Sequence, residues 1–186
     1  MFADHQPRIS QWGRANPHNF TKVCEFVLST IRVHLRDAAE AARTGEYPSA
    51  VFFGSKLNGL SYLTQHADSL YQDAEEAHDD AALMAVFLRI PGIQAAKAGF
   101  CCQLLYGRVG CLDTHNVVRF GLSPRSFRIE PNYSARTRWH RIQSYIDTCA
   151  ALGGCERLWN GWCEYVAERE GDKPDHISNL HTSMVA

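Results

Sequence analysis

The sequence predicts an all-α fold, and three observations carry that prediction. Phe20, Val23, Phe26, Val27, Ile31 and Leu35 recur at helical spacing. Glycine and proline mark the ends of such segments, at Gly45 and Pro48, Pro91-Gly92, Gly107 and Gly110, and Gly153-Gly154. At 186 residues and 45% hydrophobic, the chain can bury a real core as one domain, built as a unit or as two small helical lobes.

The elements follow in order. Residues 1–17 are polar and irregular, with Pro7, Gly13 and Pro17. An amphipathic helix is expected from Asn19 to Arg43, ended by Gly45 and Pro48. The apolar patch Ala50 to Phe53 meets Gly54, and two helices follow over Lys56 to His66 and Ala67 to Ala77. Asp79 or Asp80 can cap a helix from Ala81 to Ile90, since a short carboxylate accepts the orphan N–H groups of a first turn. A turn at Pro91-Gly92 leads into a helix from Ala95 to Tyr106, and Asp113 opens another from Thr114 to Phe120. Gly121 to Pro131 reads as a loop. Helices over Tyr133 to Leu152 and Cys155 to Glu168 are broken at Gly153-Gly154, and residues 171–186 form a polar, mobile tail. Trp159, Trp162 and Tyr165 share a helix face, the usual mark of core.

Composition excludes several classes. A net charge of −1 is not that of a polycation, so nucleic-acid binding must be local. The N-terminus has no apolar segment of signal-peptide type and no apolar run reaches membrane length, so the expectation is a cytoplasmic protein without a membrane partner. Seven cysteines, an odd number with Cys101 and Cys102 adjacent, suit a reducing compartment. Zinc-finger spacing, His-Glu-x-x-His and a phosphate-binding glycine loop are missing, so no metal or cofactor is expected.

The stretch from Leu88 to Gly121 carries the chemistry. A helix end, the Pro91-Gly92 turn and a second apolar helix read as a helix-hairpin-helix, followed by Asp113 at a third helix start. Backbone N–H groups at such a hairpin can hold a DNA phosphate. A carboxylate fixed nearby can stabilise a cation-like sugar or activate water as an extruded base departs. Each feature also has a plainer reading. Asp followed by Thr-His-Asn is ordinary capping chemistry, and the hairpin is also a common helix–helix turn.

Taken together, Ile90, Pro91, Gly92, Ile93 and Ala98, then Leu112, Asp113, Thr114, His115, Val118 and Arg119, resemble the helix-hairpin-helix DNA glycosylase superfamily. Asp113 lies 22 residues after Pro91, close to that family's spacing. The resemblance implies a two-lobed helical fold with a DNA cleft between the lobes, Asp113 as the catalytic carboxylate and double-stranded DNA as the partner of a monomer. Two departures stand out. Gln94 replaces the second hairpin glycine, which implies a changed hairpin, a strained one or weaker phosphate binding. Ala96 occupies the position of the family's Schiff-base lysine. Lys97 lies one residue on, about 100° around the helix, so strand cleavage through a lysine is not implied. The family's four-cysteine iron–sulfur loop is also missing.

On this basis Pro91, Gly92, Ile93, Gln94 and Lys97 are the hairpin contacts to DNA, Lys97 being either a phosphate contact or a solvated lysine. Between Arg119 and Arg141 lie six arginines (119, 125, 128, 136, 138 and 141) against the single acid Glu130, with Tyr133, Trp139 and His140 interleaved. Arg119, Arg125, Arg136 and Arg138 are the expected phosphate contacts of this strip; a solvated face is the alternative. His115 and Asn116 can line the cleft, with a buried, hydrogen-bonded role also open to His115. Asn58 and Tyr62, with Gln65, are pocket candidates from the early part of the chain. Asp73, Glu75, Glu76, Asp79 and Asp80 read as a solvated acidic face away from DNA.

Three functions fit these residues. The first is a monofunctional DNA glycosylase-type enzyme acting on a flipped, damaged or modified base with Asp113. The second keeps the fold and changes the chemistry. The chain also resembles compact phage-type relatives of the superfamily linked to thymine hypermodification, proposed to join an amino acid or polyamine to activated 5-hydroxymethyluracil in DNA. Either enzyme would act in the cytoplasm of a bacterial or phage-infected cell. The third is a non-catalytic DNA-binding module in which Asp113 only caps.

Overall fold

The computed structural model describes residues 17–29, 50–130 and 132–170. Of the expected irregular start over 1–17, residues 1–16 lie outside the described residues and Pro17 is helical; the first helix beyond residue 29 and the tail over 171–186 also lie outside the described residues. Seven α-helices and one 3-10 turn make up the regular structure of the described residues, with no strand among them. The all-α expectation therefore holds.

Helix α1 (Pro17–Ser29) begins on a proline, whose fixed φ and missing N–H suit the first helical position. Helix α2 (Ala50–Glu75) is one continuous helix of 26 residues where two were expected. Neither glycine nor proline separates His66 from Ala67, so nothing ends the helix there. Gly54 lies inside it as well.

Helix α3 (Asp80–Phe87) is capped by Asp79, whose carboxylate accepts from the Ala82 N–H at 2.7 Å. It ends three residues before the expected Ile90, because the residue before a proline avoids the helical region. Helix α4 (Ala95–Tyr106) matches expectation and ends at Gly107, left-handed at φ 62°. Helix α5 (Thr114–Arg119) follows Asp113. A 3-10 turn (Pro124–Phe127) interrupts the expected loop. Helix α6 (Ala135–Ala151) is capped by Ser134, and the Leu152-Gly153 turn leads into α7 (Gly154–Glu170). Gly153 at φ 100° and Gly154 at φ 76° make that break.

The buried side chains form one continuous cluster. Phe20 of α1 stacks on Phe87 of α3 at 5.5 Å and meets Tyr71 of α2 edge-on at 5.8 Å. Leu28, Leu63, Leu70, Leu83, Met84 and Leu105 complete the contact among α1 to α4 and are wholly inaccessible. Tyr145, Ile142 and Cys149 of α6 extend the core towards the loop before α5. Trp159 is buried, as its helical spacing suggests.

The acidic cluster is not simply a solvated face. Asp79 caps α3, Asp73 pairs with Arg89, and Asp80 pairs with Arg108 at 2.6 Å. These carboxylates tie helix ends together and leave less of the cluster to solvent than its charge alone suggests.

Candidate nucleic-acid interface and catalytic carboxylate

The hairpin is built by a single turn. The Ile93 N–H donates to the Ile90 carbonyl at 3.0 Å, with Pro91 and Gly92 between them. Proline second and a positive-φ glycine third is the arrangement of a type II turn, and Gly92 sits at φ 83°. Ile90 and Ile93 point into the core, so Ile93 serves the hairpin by packing, with its side chain unavailable to DNA. Pro91 and Gly92 are half-buried.

Helix α2 receives the hairpin at Gly59. A Cβ there would lie 2.2 Å from the Pro91 carbonyl oxygen, so only glycine allows this approach. Tyr62 lies one turn further along α2, half-buried, with its ring 4.3 Å from that of His66. Arg89, just before the hairpin, pairs with Asp73 of the same helix, which raises its guanidinium pKa, with a smaller contribution from Tyr62. Asn58 is exposed on α2.

Gln94 departs from expectation. Its backbone is extended at φ −100°, a conformation open to any residue, so replacing glycine here creates no strain. Its exposed side chain makes no cap bond. The first helical bond of α4 runs from the Ala98 N–H to the Gln94 carbonyl at 2.8 Å. The N–H groups of Ala95, Ala96 and Lys97 therefore precede the intrahelical ladder. Lys97 is half-buried.

Asp113 sits at the N-cap of α5. Its Oδ1 accepts from the Asn116 N–H at 2.8 Å, and its carbonyl accepts from the Val117 N–H at 2.9 Å. The carboxylate is half-buried. The capping reading is thus realised, and it fixes the side chain in one orientation.

The loop that delivers Asp113 is clamped from several sides. The Tyr145 hydroxyl, wholly buried, donates to the Gly110 carbonyl at 3.1 Å and accepts from the Leu112 N–H at 2.8 Å. Buried Gln103 accepts from the Cys111 N–H at 2.7 Å. The Asn116 amide donates to the Cys111 carbonyl at 2.9 Å. The Cys111 thiol approaches the Ala96 carbonyl at 3.5 Å, which seats the loop against the first turn of α4. Burial pushes the Tyr145 hydroxyl well up, and pushes the Cys111 thiol up with help from the Asp113 charge. Both therefore keep their protons at neutral pH.

Two backbone features show how tightly this loop is held. A Cβ on Gly99 would lie 2.3 Å from the Gly110 carbonyl oxygen and 2.4 Å from the Tyr145 hydroxyl. Val109, a buried β-branched residue, is left-handed at φ 65°. Such a conformation costs about 1–3 kcal/mol and persists only where surrounding contacts impose it.

The remaining candidates divide. Asn116 is buried and committed to the loop, so it is a strut and not a cleft-lining group. His115 is exposed, against the buried role open to it from sequence. Arg119 leans on α7: a Cβ on Gly161 would meet its guanidinium at 2.3 Å, and Glu164 lies 3.7 Å away. Arg125 and Arg136 are exposed and Arg138 is half-buried. Arg128 pairs with Glu130, and Arg141 donates to the Ser126 carbonyl at 2.7 Å, holding the 3-10 turn against α6. The strip is therefore partly structural, and Arg125 and Arg136 are its outward-facing members.

An open cavity of about 340 Å³ lies between α5 and α7, lined by Arg119, Arg157, Asn160 and the carboxylates of Glu156 and Glu164, with Gly153 and Gly161. Asp113 is not among its lining residues. Among the described residues no group of three or more His, Cys, Asp or Glu side chains is placed to hold a metal. Also among the described residues, no helix is long and apolar enough to cross a membrane.

Asp113 and the hairpin are visible in the sequence, whereas the parts of Gln103, Tyr145, Gly59 and Gly99 emerge only from the fold. A glycine inside a helix is the one signal that pointed to the last two. No family model, curated protein or solved structure matches the chain.

Proposed function

We propose that this chain is a DNA-base enzyme of the helix-hairpin-helix glycosylase type, acting on a flipped base with Asp113 as its catalytic carboxylate. One observation carries the reading. Asp113 follows a strained loop that four side chains clamp, and that loop rests on the first turn of α4, where the Pro91-Gly92 hairpin ends. A carboxylate used only to cap a six-residue helix would need no such frame.

In this reading, N–H groups at the start of α4 hold a phosphate of duplex DNA, and Arg125 and Arg136 add backbone contacts. The target nucleotide leaves the stack and is presented to Asp113. The Asp113 carboxylate stabilises positive charge on the sugar as the C1′–N bond breaks, the electron pair leaving with the base. Water adds at C1′ and loses its proton, with Asp113 as the acceptor. Ala96 leaves no amine at the lyase position, so the product strand stays intact.

Incubation with duplexes carrying single damaged or modified bases tests this. Base release without strand cleavage, and no borohydride-trapped adduct, is the expected result. No release from a broad panel would overturn it. A trapped adduct lost in Lys97→Ala would make Lys97 a nucleophile.

A second reading has one observation in its favour. Asp113 Oδ1 is engaged as a cap, and the cavity between α5 and α7 does not include it. A non-catalytic reader of DNA would keep its affinity in Asp113→Asn and turn over no base.

A further inference from the structure

We propose that Trp139 and Arg136, on the outer face of α6, form a stacking platform for an unstacked base of DNA; this rests on the DNA reading above.

Residues 136, 139, 140 and 143 recur at helical spacing and are all exposed, while Ile142, Tyr145 and Cys149 fill the opposite, buried face. The indole of Trp139 is 48% exposed, although a ring of this size normally buries most of its surface. Arg136 stands one turn before it and His140 beside it. Arg125 projects from the 3-10 turn that Arg141 holds against this helix. The segment from residue 131 to residue 146 contains no carboxylate. Further along the same face Gln143 is bonded to Asp147 at 2.9 Å, so the cations and the ring are confined to the first turns.

The chemistry of the patch selects its occupant. A single aromatic ring framed by cations lacks the apolar area that a protein partner needs. A nucleic acid supplies both complements, a π-face for the indole and phosphates for the arginines. In an intact duplex the base faces are covered by their neighbours. The ring therefore fits a base that has lost its stack, beside a flipped nucleotide. Along the axis of α6, six residues, a rise of about 9 Å, separate Trp139 from Tyr145, which holds the loop leading to Asp113 from the opposite face.

Anisotropy titrations with three probes test the proposal: a paired 20-mer duplex, the same duplex with one bulged base, and the single strand. The wild-type protein is expected to prefer the bulged over the paired duplex. Trp139→Ala should lose about 5- to 100-fold on the bulged duplex and the single strand, with little change on the paired duplex. Trp139→Phe, which keeps a π-face, should retain most of the affinity. Arg136→Ala should weaken binding of all three probes alike. Equal effects of Trp139→Ala on paired and bulged duplexes, or none on either, would overturn the platform while leaving the DNA reading intact. No binding of any probe by the wild-type protein would overturn both.

Discussion

The Tyr145 hydroxyl donates to Gly110 and accepts from Leu112, so one oxygen fixes the backbone on both sides of Cys111. Tyr145→Phe leaves two buried backbone groups without that partner and opens no cavity. A loss of about 1–3 kcal/mol in urea unfolding is expected, together with a lower rate of any Asp113-dependent reaction, because the loop loses its clamp. A second expectation at this scale concerns the thiols. Burial raises the pKa of Cys24 and Cys102 well above the ordinary range and that of Cys149 to about 12. In the unfolded chain these thiols lose their protons near pH 8.5, while the folded protein keeps them. The unfolded state then binds fewer protons, so stability is full below about pH 8 and falls as pH rises through 9 and 10. Thermal melts between pH 7 and 10 should show a falling Tm; a flat profile would show that these thiols are not buried. Asp113 itself was legible from its neighbours in sequence, since Asp-Thr-His-Asn is a local pattern. Tyr145 was not, because its partners lie more than thirty residues away and a buried hydroxyl leaves no mark on its own segment.

At the scale of elements, helix positions were legible wherever glycine, proline or a capping residue marked an end. Helix α4 starts and stops as its sequence says, through the Pro91-Gly92 turn and the left-handed Gly107. Helix α2 was misread as two, although no glycine, proline or capping turn marks an end at His66-Ala67. The fates of Gly59 and Gly99 show what the pattern could not tell. Each is placed by a carbonyl from another element, at 2.2 Å and 2.3 Å from a would-be Cβ, and only packing reveals that. The arginine strip was legible as composition but not as geometry. Arg119 leans on α7, Arg128 pairs with Glu130, and Arg141 binds Ser126. What remains outward supports a narrower prediction than the charge count alone. Arg125→Ala and Arg136→Ala should each lower the slope of log affinity against log salt by about 0.9 on duplex DNA. Arg141→Ala should act mainly on stability, through the 3-10 turn. An unchanged slope in the first two variants would remove this face from the DNA interface.

For the whole molecule, named contacts tie the loop before Asp113 to α4, to α6 and, through Tyr145, to the 3-10 turn. The Cys111 thiol reaches Ala96, Tyr145 reaches Leu112, and Phe127 packs edge-on against Tyr145 at 5.6 Å. Such a frame is more than a six-residue helix needs from its cap, and it supports the proposed chemistry at Asp113. The most direct measurement is single-turnover base release by wild-type protein and Asp113→Asn, on whichever duplex of the modified-base panel the wild type acts upon, with a melt of each protein alongside. Asparagine caps a helix about as well as aspartate, so the Tm should stay close to wild type. Without the negative charge the rate should fall by at least two to three orders of magnitude, as for loss of a principal electrostatic group. Base release by Asp113→Asn at the wild-type rate, or none by the wild type on any modified base, would contradict the account.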